Sequence, residues 1–347
     1  MISSDFIKDY GLTISILLLA SYFGTQIKEK MNLDNTDNEE HDLIKKYILN
    51  DSPLYGYKKP KLWIHSKYEI NSRNWNSFQS RNNTDLNQQY LEFTIKSIVN
   101  KCSKDFHVCL IDDKSFNKLI PGFDKNIYNM PEPLKSQYRE IALLELIYLY
   151  GGLIVPNSLL CMKNLKDLYD TLEKENKPFV FEKNNKYCNV KYGRKVEYVP
   201  DINMMGCVKN CPTIYSLMRL LKLDLDKGHI SGANDFIGKT SHILMNMINS
   251  NDIISVDGSL IGIKDDNGKP IIIEDLFSSN KSIHFSNDLY AINLPSKEIL
   301  ERNKYNWLPA LKEDDLLKSN INLVDYIKVS QVSEHFDNKK SKIPTYF

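Results

Sequence analysis

Residues Tyr138–Leu160, which read YREIALLELIYLYGGLIVPNSLL, decide the fold of this chain. A long apolar run reaches the pair Gly151-Gly152, and a short apolar run and a polar turn follow. This order predicts a helix over 135–150 and a strand over 153–155, because two glycines allow a tight turn between a helix and a strand. We therefore expect a helix that leads directly into a buried strand.

Other parts of the chain alternate between strand-like and helix-like patterns. The patterns predict strands at Lys61–His65, Phe106–Ile111, Phe179–Glu182 and Ile202–Val208, and helices over Leu86–Cys102 and Pro212–Lys222. Strands alternating with helices predict an α/β fold with a mostly parallel sheet and helices on both faces. Turn residues further along predict two hairpins, at Ile253–Ile263 and Lys264–Ile273, which would form a small antiparallel lobe.

Composition excludes some classes of protein and leaves others open. The 347 residues are 42% hydrophobic and include 20 tyrosines, enough for a large core. A net charge of +1 without a basic stripe gives no reason to expect a nucleic-acid partner. Because no second pair of ligands stands near Cys207 and Cys211, we expect no zinc site there. Free thiols are predicted for all six cysteines: Cys102, Cys109, Cys161, Cys188, Cys207 and Cys211.

The N-terminal region predicts a membrane anchor. Residues 10–27 carry no charged side chain and approach the length of about 20 residues that a membrane-spanning helix needs. The alternative is a helix that docks on the domain or on a partner. We expect residues 1–30 to be a single-pass anchor of undetermined orientation and residues 31–58 a linker and lead-in. The globular domain then spans 59–330, and 331–347 form a polar tail.

Polar residues follow the predicted strands at four places. His65 ends the first strand, Asp112 and Asp113 follow the second, Asn157 and Ser158 follow the third, and Asp201 belongs to a later strand. Ligands bind at the carboxyl ends of the strands in such sheets. The sequence therefore predicts a binding site where these residues meet.

A nucleotide would need an aromatic wall for its base and an acceptor for its ribose. Tyr68 and Trp63 are candidates for the wall, and Asp112 or Asp113 for the ribose contact. Each has a structural alternative, since an Asp pair after a strand often caps a helix and a Trp inside a strand is often a core residue.

Three segments resemble one enzyme family. Lys61–His65 resembles the opening P-K-I-I-H strand of the DXD-containing glycosyltransferases of family 32 and of capsular polysaccharide synthesis proteins, and Phe106–Asp113 resembles their second strand. Glu140–Ser158 is similar to their signature, in which an Asp and an Arg on a helix precede Y-G-G-x-Y-x-D-x-D. The resemblance implies a GT-A fold, with one Rossmann-like sheet, that binds a nucleotide sugar and a glycan or protein acceptor.

The resemblance also implies roles for particular residues. Glu140 falls on the first Asp of the signature, and Arg139 lies beside it; both are candidate catalytic residues. The candidate nucleotide-sugar contacts are His65, Tyr68, Asp112, Asp113, Asn157, Ser158 and Asp201. His284 and Trp307 loosely resemble late donor-site residues of the family.

The chain departs from the signature at its metal-binding positions. Pro156 and Ser158 stand where the two acids of Asp-x-Asp should be, and Leu143 stands where the Arg should be. Neither Pro nor Ser supplies the anionic oxygen with which the acids hold a divalent metal. We therefore expect no metal cofactor, with Mn²⁺ or Mg²⁺ required only if the motif lies elsewhere. Transfer without a metal would need cations such as Arg139, Lys67 or His284 at the leaving group.

Two functions of different classes remain open from the sequence. One is a membrane-anchored glycosyltransferase-like protein that transfers sugar without an Asp-x-Asp metal. The other is an inactive relative that binds a nucleotide sugar or glycan, or serves as a structural or assembly protein in a membrane or virus particle. Fold alone does not choose between them, and the oligomeric state stays undetermined.

Overall fold

The computed structural model describes residues 59–66, 88–185, 197–226, 233–280 and 282–331. The predicted anchor and the whole of the predicted linker lie outside these ranges, as do Lys67, Tyr68 and residues 332–347. Within the described ranges, no helix combines the length and apolar character needed to cross a bilayer.

Within the described residues, eight strands form two sheets. They are β1 Lys61–His65, β2 His107–Ile111, β3 Gly152–Pro156, β4 Leu159–Cys161, β5 Phe179–Asn184, β6 Tyr198–Cys207, β7 Ile254–Val256 and β8 Ala291–Asn293. The main sheet has the order β2-β1-β3-β6-β5-β7, and β4 pairs with β8. Strand β6 runs antiparallel to both neighbours, and the other three pairings are parallel. The predicted fold class is confirmed: a mainly parallel sheet with helices and a small antiparallel sheet.

Ten α-helices lie in the described ranges. They are α1 Tyr90–Cys102, α2 Ser115–Leu119, α3 Leu134–Tyr150, α4 Lys166–Glu173, α5 Pro212–Asp226, α6 Ala233–Asn249, α7 Ile273–Leu276, α8 Ser296–Glu301, α9 Glu313–Lys318 and α10 Asn322–Gln331. Helix α3 runs directly into β3, as the decisive stretch of sequence predicts.

The main sheet is covered on both faces. Leu62, Trp63 and Ile64 are consecutive in β1, so their side chains point to alternate faces, yet all three are buried. One hydrophobic cluster joins Trp63 and Ile154 to helices α3 and α5. A second cluster, around α1, α10 and the β4–β8 sheet, lies alongside. Continuous apolar strands in the sequence reflect this double burial.

Backbone contact at the α3–β3 turn explains the glycine pair. Gly151 and Gly152 have φ values of 68° and 104°. A Cβ atom on Gly152 would stand 2.2 Å from the carbonyl oxygen of Lys61. The indole nitrogen of Trp63 donates a 2.9 Å hydrogen bond to the Gly151 carbonyl. The turn is therefore fixed directly against β1, and only glycine leaves room for that approach.

The predicted hairpin at Ile253–Ile263 is wrong. Its first half is β7, which pairs in parallel with β5 in the main sheet. Asp257 then accepts a 2.8 Å hydrogen bond from the backbone of Ser259 and starts a 3₁₀ turn, Gly258–Ile261, instead of a return strand. The local Asp-Gly signal was a cap and not a hairpin turn.

The second predicted hairpin, Lys264–Ile273, is reduced to one bridge between Lys264 and Pro270. The small antiparallel sheet comes instead from β4 and β8, in which Leu160 pairs with Ile292. These strands are separated by more than 120 residues, so local turn signals did not predict their pairing.

Candidate functional site

The carboxyl edge of β1, β2 and β3 is the natural ligand site of this sheet. From β1 the chain proceeds to β2 on one side, and β3 lies on the other. Such a reversal opens a crevice at the carboxyl ends of the strands. His65, at the end of β1, pairs with Ile111 of β2 on one side and with Pro156 of β3 on the other. Because α3 leads back into β3, its N-terminal residues return to the same edge.

Three predicted site residues form one buried network at this edge. Arg139 Nε donates to both oxygens of the Asp113 carboxylate, at 3.0 and 3.2 Å, and its Nη2 donates to Oδ2 at 2.8 Å. His65 Nε2 lies 3.0 Å from Asp113 Oδ1. Since a carboxylate only accepts, Nε2 carries the hydrogen in this contact. All three side chains are at most 8% exposed.

Asp113 is held in its charged form. Burial alone would raise the pKa of Asp113, but hydrogen bonds from His65 and Arg139 and the Arg139 charge hold this pKa well below its ordinary value. The carboxylate thus binds two neighbouring elements, β1 and α3, to the end of β2. In this state the Arg139 guanidinium is already engaged by a counter-charge inside the protein.

Asp112 has a different role from its neighbour. Its Oδ1 accepts from the backbone nitrogen and the hydroxyl of Ser115, at 2.8 and 2.6 Å. These contacts cap the first turn of α2. The structure thus places Asp113 in the network and Asp112 at a helix start.

The turn at residues 156–158, which stands where the family has Asp-x-Asp, is held in place by hydrogen bonds to its backbone carbonyls. The carbonyl of Asn157 accepts a 2.5 Å hydrogen bond from Thr94 in α1, and the carbonyl of Ser158 accepts one from Leu294, 3.1 Å away. Ser158 is buried and Asn157 is half-buried. These contacts attach the end of β3 to the second hydrophobic cluster.

Glu140 lies beside Arg139 but contacts another element. Its Oε2 accepts a 3.1 Å hydrogen bond from the hydroxyl of Thr240 in α6. Both side chains are buried. The Glu140 carboxylate therefore faces α6, while Arg139 faces the end of β2.

Asp201 lies inside β6, whereas the sequence placed it at the carboxyl end of a strand. It reaches the same edge because β6 is antiparallel: Met205 pairs with Ile154, so earlier β6 residues lie beyond the end of β3. Its carboxylate accepts from Lys183 Nζ at 3.1 Å and from Asn203 Nδ2 at 3.0 Å. Burial opposes ionisation, but Lys183 and Asn203 keep the pKa of Asp201 below its usual range.

Other candidates lie away from this arrangement. Trp63 is a core residue that supports the Gly151 turn, so its structural alternative is confirmed and the base-wall interpretation is wrong. His284 is exposed, and Trp307 packs edge-on against Phe277. Tyr68 and Lys67 lie outside the described residues.

The charges at the edge are largely matched to one another. Among the described residues, Asp113 pairs with Arg139 and Asp201 pairs with Lys183. Glu140 accepts a hydrogen bond from the Thr240 hydroxyl. No group of three or more His, Cys, Asp or Glu side chains in those ranges is placed to hold a metal ion. A diphosphate would therefore need further positive charge, from outside these groups, to bind tightly.

Sequence reasoning missed several residues of this edge. Thr240, Lys183 and Asn203 carry no local motif, and only the tertiary fold brings them to their partners. Gln137 lies three residues before Glu140 in α3, and such spacing puts both on one helix face.

Comparisons with known proteins add little. No family model matches the chain, and no curated protein matches it in sequence. One solved structure, the PaToxG glycosyltransferase, is similar with a TM-score of 0.32 and 12% identity over 56% of this chain and 72% of that one. A TM-score this low supports no functional argument. Any functional conclusion therefore rests on the strand order and side-chain geometry of the chain itself.

Proposed function

We propose that this protein is glycosyltransferase-like and binds a nucleotide sugar at the carboxyl edge of β1, β2 and β3, without a metal held by an Asp-x-Asp pair. The observation that carries the proposal is the convergence of His65, Asp113 and Arg139 at the point where the strand order reverses. These residues lie in, or directly beside, three separate segments that resemble the family in sequence.

The proposed metal independence follows from side-chain chemistry. The β3–β4 turn offers Pro156, Asn157 and Ser158, none of which has an anionic oxygen. The leaving diphosphate would have to be neutralised by cationic side chains. Arg139 is adjacent, and Lys67 follows β1 closely in the sequence.

A second candidate, binding without transfer, is favoured by one specific observation. Arg139 is bound bidentately to Asp113 and is 4% exposed, so it is already neutralised inside the protein. A cation in this state stabilises a leaving group poorly unless the pair opens. In this version the protein recognises a nucleotide sugar or glycan, or uses the fold in assembly.

A binding and turnover screen separates these candidates. Purified full-length protein is titrated calorimetrically with UDP-glucose, UDP-N-acetylglucosamine and GDP-mannose, and hydrolysis of each is followed by nucleotide release. Binding with turnover that Lys67→Gln abolishes supports the transferase, and binding without turnover supports the second candidate. Absence of binding to every donor contradicts the transferase and the recognition of a nucleotide sugar, and leaves glycan binding or assembly as the function.

We also propose that residues 10–27 anchor the protein in a membrane, from their lack of charge and their length. Deletion of residues 1–30 should release the protein from the membrane fraction and leave the cooperative thermal unfolding of the domain intact. Retention of the truncated protein in the membrane, or its unfolding, contradicts the anchor.

A further inference from the structure

Cys102 and Cys161 are two buried thiols in contact with each other. Their Sγ atoms lie 3.9 Å apart, and both side chains are 0% exposed. Cys102 is the last residue of α1, Cys161 is the last residue of β4, and both are free thiols in the structure. Because the sulfurs of a disulfide bond are about 2.05 Å apart, closing this contact needs a shift of only about 2 Å between the two sulfur atoms.

Two hydrogen bonds hold the elements that carry these cysteines against each other. The hydroxyl of Ser97 in α1 accepts from the backbone nitrogen of Cys161 at 2.8 Å. About one turn earlier in the same helix, the hydroxyl of Thr94 donates to the carbonyl of Asn157 at 2.5 Å. The two thiols therefore meet across a fixed contact between a helix and a strand.

The surroundings give the two sulfurs different roles. Hydrogen bonds from the Cys161 thiol and from the backbone of Leu165 lower the pKa of Cys102, although burial and the charge of Asp105 oppose them. The contact with Cys102 and burial raise the pKa of Cys161 well above its ordinary value. Since the thiolate is the nucleophile, Cys102 is the sulfur that reacts first, and Cys161 keeps its proton until the second step.

We propose that Cys102 and Cys161 form a redox-active pair that hydrogen peroxide converts into a disulfide bond. Cys102 Sγ attacks one peroxide oxygen, the O–O bond breaks, and the other oxygen leaves as water with the proton of Cys102, which becomes a sulfenic acid. Cys161 Sγ then attacks Cys102 Sγ, the S–O bond breaks, and the second oxygen leaves as water with the proton of Cys161. The two thiols lose two electrons and two protons, and the peroxide gains both.

The bridge would stabilise the part of the chain that builds most of the candidate site. Peroxide is a small molecule and reaches the buried pair when the domain opens locally. The two cysteines are 59 positions apart, and the loop between them contains Asp113, Arg139 and the glycine turn before β3. A cross-link that closes a loop of this length stabilises the folded protein by restricting the unfolded chain. The pair acts independently of nucleotide-sugar binding.

Oxidation of the full-length protein tests the pair. Reduced protein is treated with a small molar excess of hydrogen peroxide, then alkylated and digested without reductant. Mass spectrometry of the peptides should show Cys102 joined to Cys161, and dithiothreitol should remove the bridge. Peptide mapping identifies the bridge because Cys207 and Cys211 are also neighbours. The melting temperature, measured by calorimetry, should rise by about 5 °C or more on oxidation.

Two variants complete the test. Cys102→Ala should lose both the bridge and the rise in melting temperature. Cys109→Ala is the matched control and should keep both, because Cys109 lies in β2, its Sγ contacts the His107 carbonyl at 3.5 Å, and burial raises its pKa to about 12.

Three results would overturn the proposal. They are a peroxide-treated protein in which both thiols stay reduced, one in which the two sulfurs are oxidised separately to sulfinic acids, and a bridge that leaves the melting temperature unchanged. If Cys102→Ala does not fold, the peptide map and the melting temperature of the oxidised wild-type protein decide the matter on their own.

Discussion

Arg139 and Asp113 form a bidentate ion pair that is almost completely buried, with the Arg139 Nη2 atom 2.8 Å from Asp113 Oδ2. The pair joins α3 to the end of β2, and His65 adds β1 through the same carboxylate. One side chain therefore sets the relative positions of three elements that surround the candidate site. The same pairing engages the cation that metal-free catalysis would use.

Replacement of Asp113 tests the stability of this network. Asp113→Asn keeps the side-chain shape but leaves Arg139 buried without a counter-charge, which should lower the free energy of unfolding by about 3–5 kcal/mol. Urea unfolding measures the change. The control is Glu301→Gln, which removes an exposed pair with Lys297 at 3.9 Å and should cost no more than about 0.5 kcal/mol. Equal losses in the two variants would show that the buried pair is not stabilising.

The stability of the protein should depend on pH in the acidic range. Burial raises the pKa of Asp113, but hydrogen bonds from His65 and Arg139 lower it by a larger amount. The pKa of Asp113 in the folded protein therefore lies below the ordinary value. A depressed folded pKa gives stability that is present above the unfolded-state value of about 4 and is lost as the pH falls towards the folded value. Asp201 contributes with the same sign.

This dependence is checked by urea unfolding of wild type and Asp113→Asn between pH 7 and pH 2.5. The wild-type protein should lose stability steadily below about pH 4, and the variant should show a shallower decline because one depressed carboxyl group is gone. Parallel curves for the two proteins would mean that the pKa of Asp113 is the same in the folded and the unfolded protein.

The glycine at the start of β3 should be irreplaceable. Gly152→Ala places a Cβ atom 2.2 Å from the Lys61 carbonyl oxygen, and φ at this position is +104°. The β1–β3 backbone would have to separate, at a cost of about 4 kcal/mol or more in unfolding free energy. Gly122→Ala is the control, since its φ is +74° but nothing lies within 4 Å of the added atom.

Gly122→Ala should cost only about 1–2 kcal/mol for the left-handed backbone. Thermal or urea unfolding of the two variants isolates the steric contribution at Gly152. Similar losses in both would show that backbone strain, rather than contact with β1, makes the glycine necessary.

Metal should not control nucleotide-sugar binding. Since Pro156 and Ser158 offer no carboxylate to a divalent ion, affinity measured by calorimetry should stay within about twofold when EDTA replaces 1–5 mM MnCl₂, roughly the measurement error on a Kd. A strong increase in affinity or turnover with Mn²⁺ would mean that the metal-binding motif lies on other residues.

Local signals in the sequence predicted the elements of the first half well. The helix before Gly151, the strand at Lys61–His65 and the strand after the glycine pair are present as predicted, because periodicity and glycine geometry act over a few residues. The hairpin at Ile253–Ile263 was wrong for the same reason. An Asp-Gly pair is compatible with a cap or a hairpin turn, and distant pairing with β5 chose the cap.

By itself, the sequence determined that this protein has a mainly parallel α/β sheet with polar residues at its carboxyl edge and no acid pair after β3. Only the tertiary structure decided the partners of those residues. Asp113 binds His65 and Arg139, Asp112 caps a helix, and Gln137 is left unpaired. Asp112 and Asp113 both follow β2 and give the same signal in the sequence. Their burial and hydrogen-bond partners differ because these depend on elements far away in the chain, which no local pattern encodes.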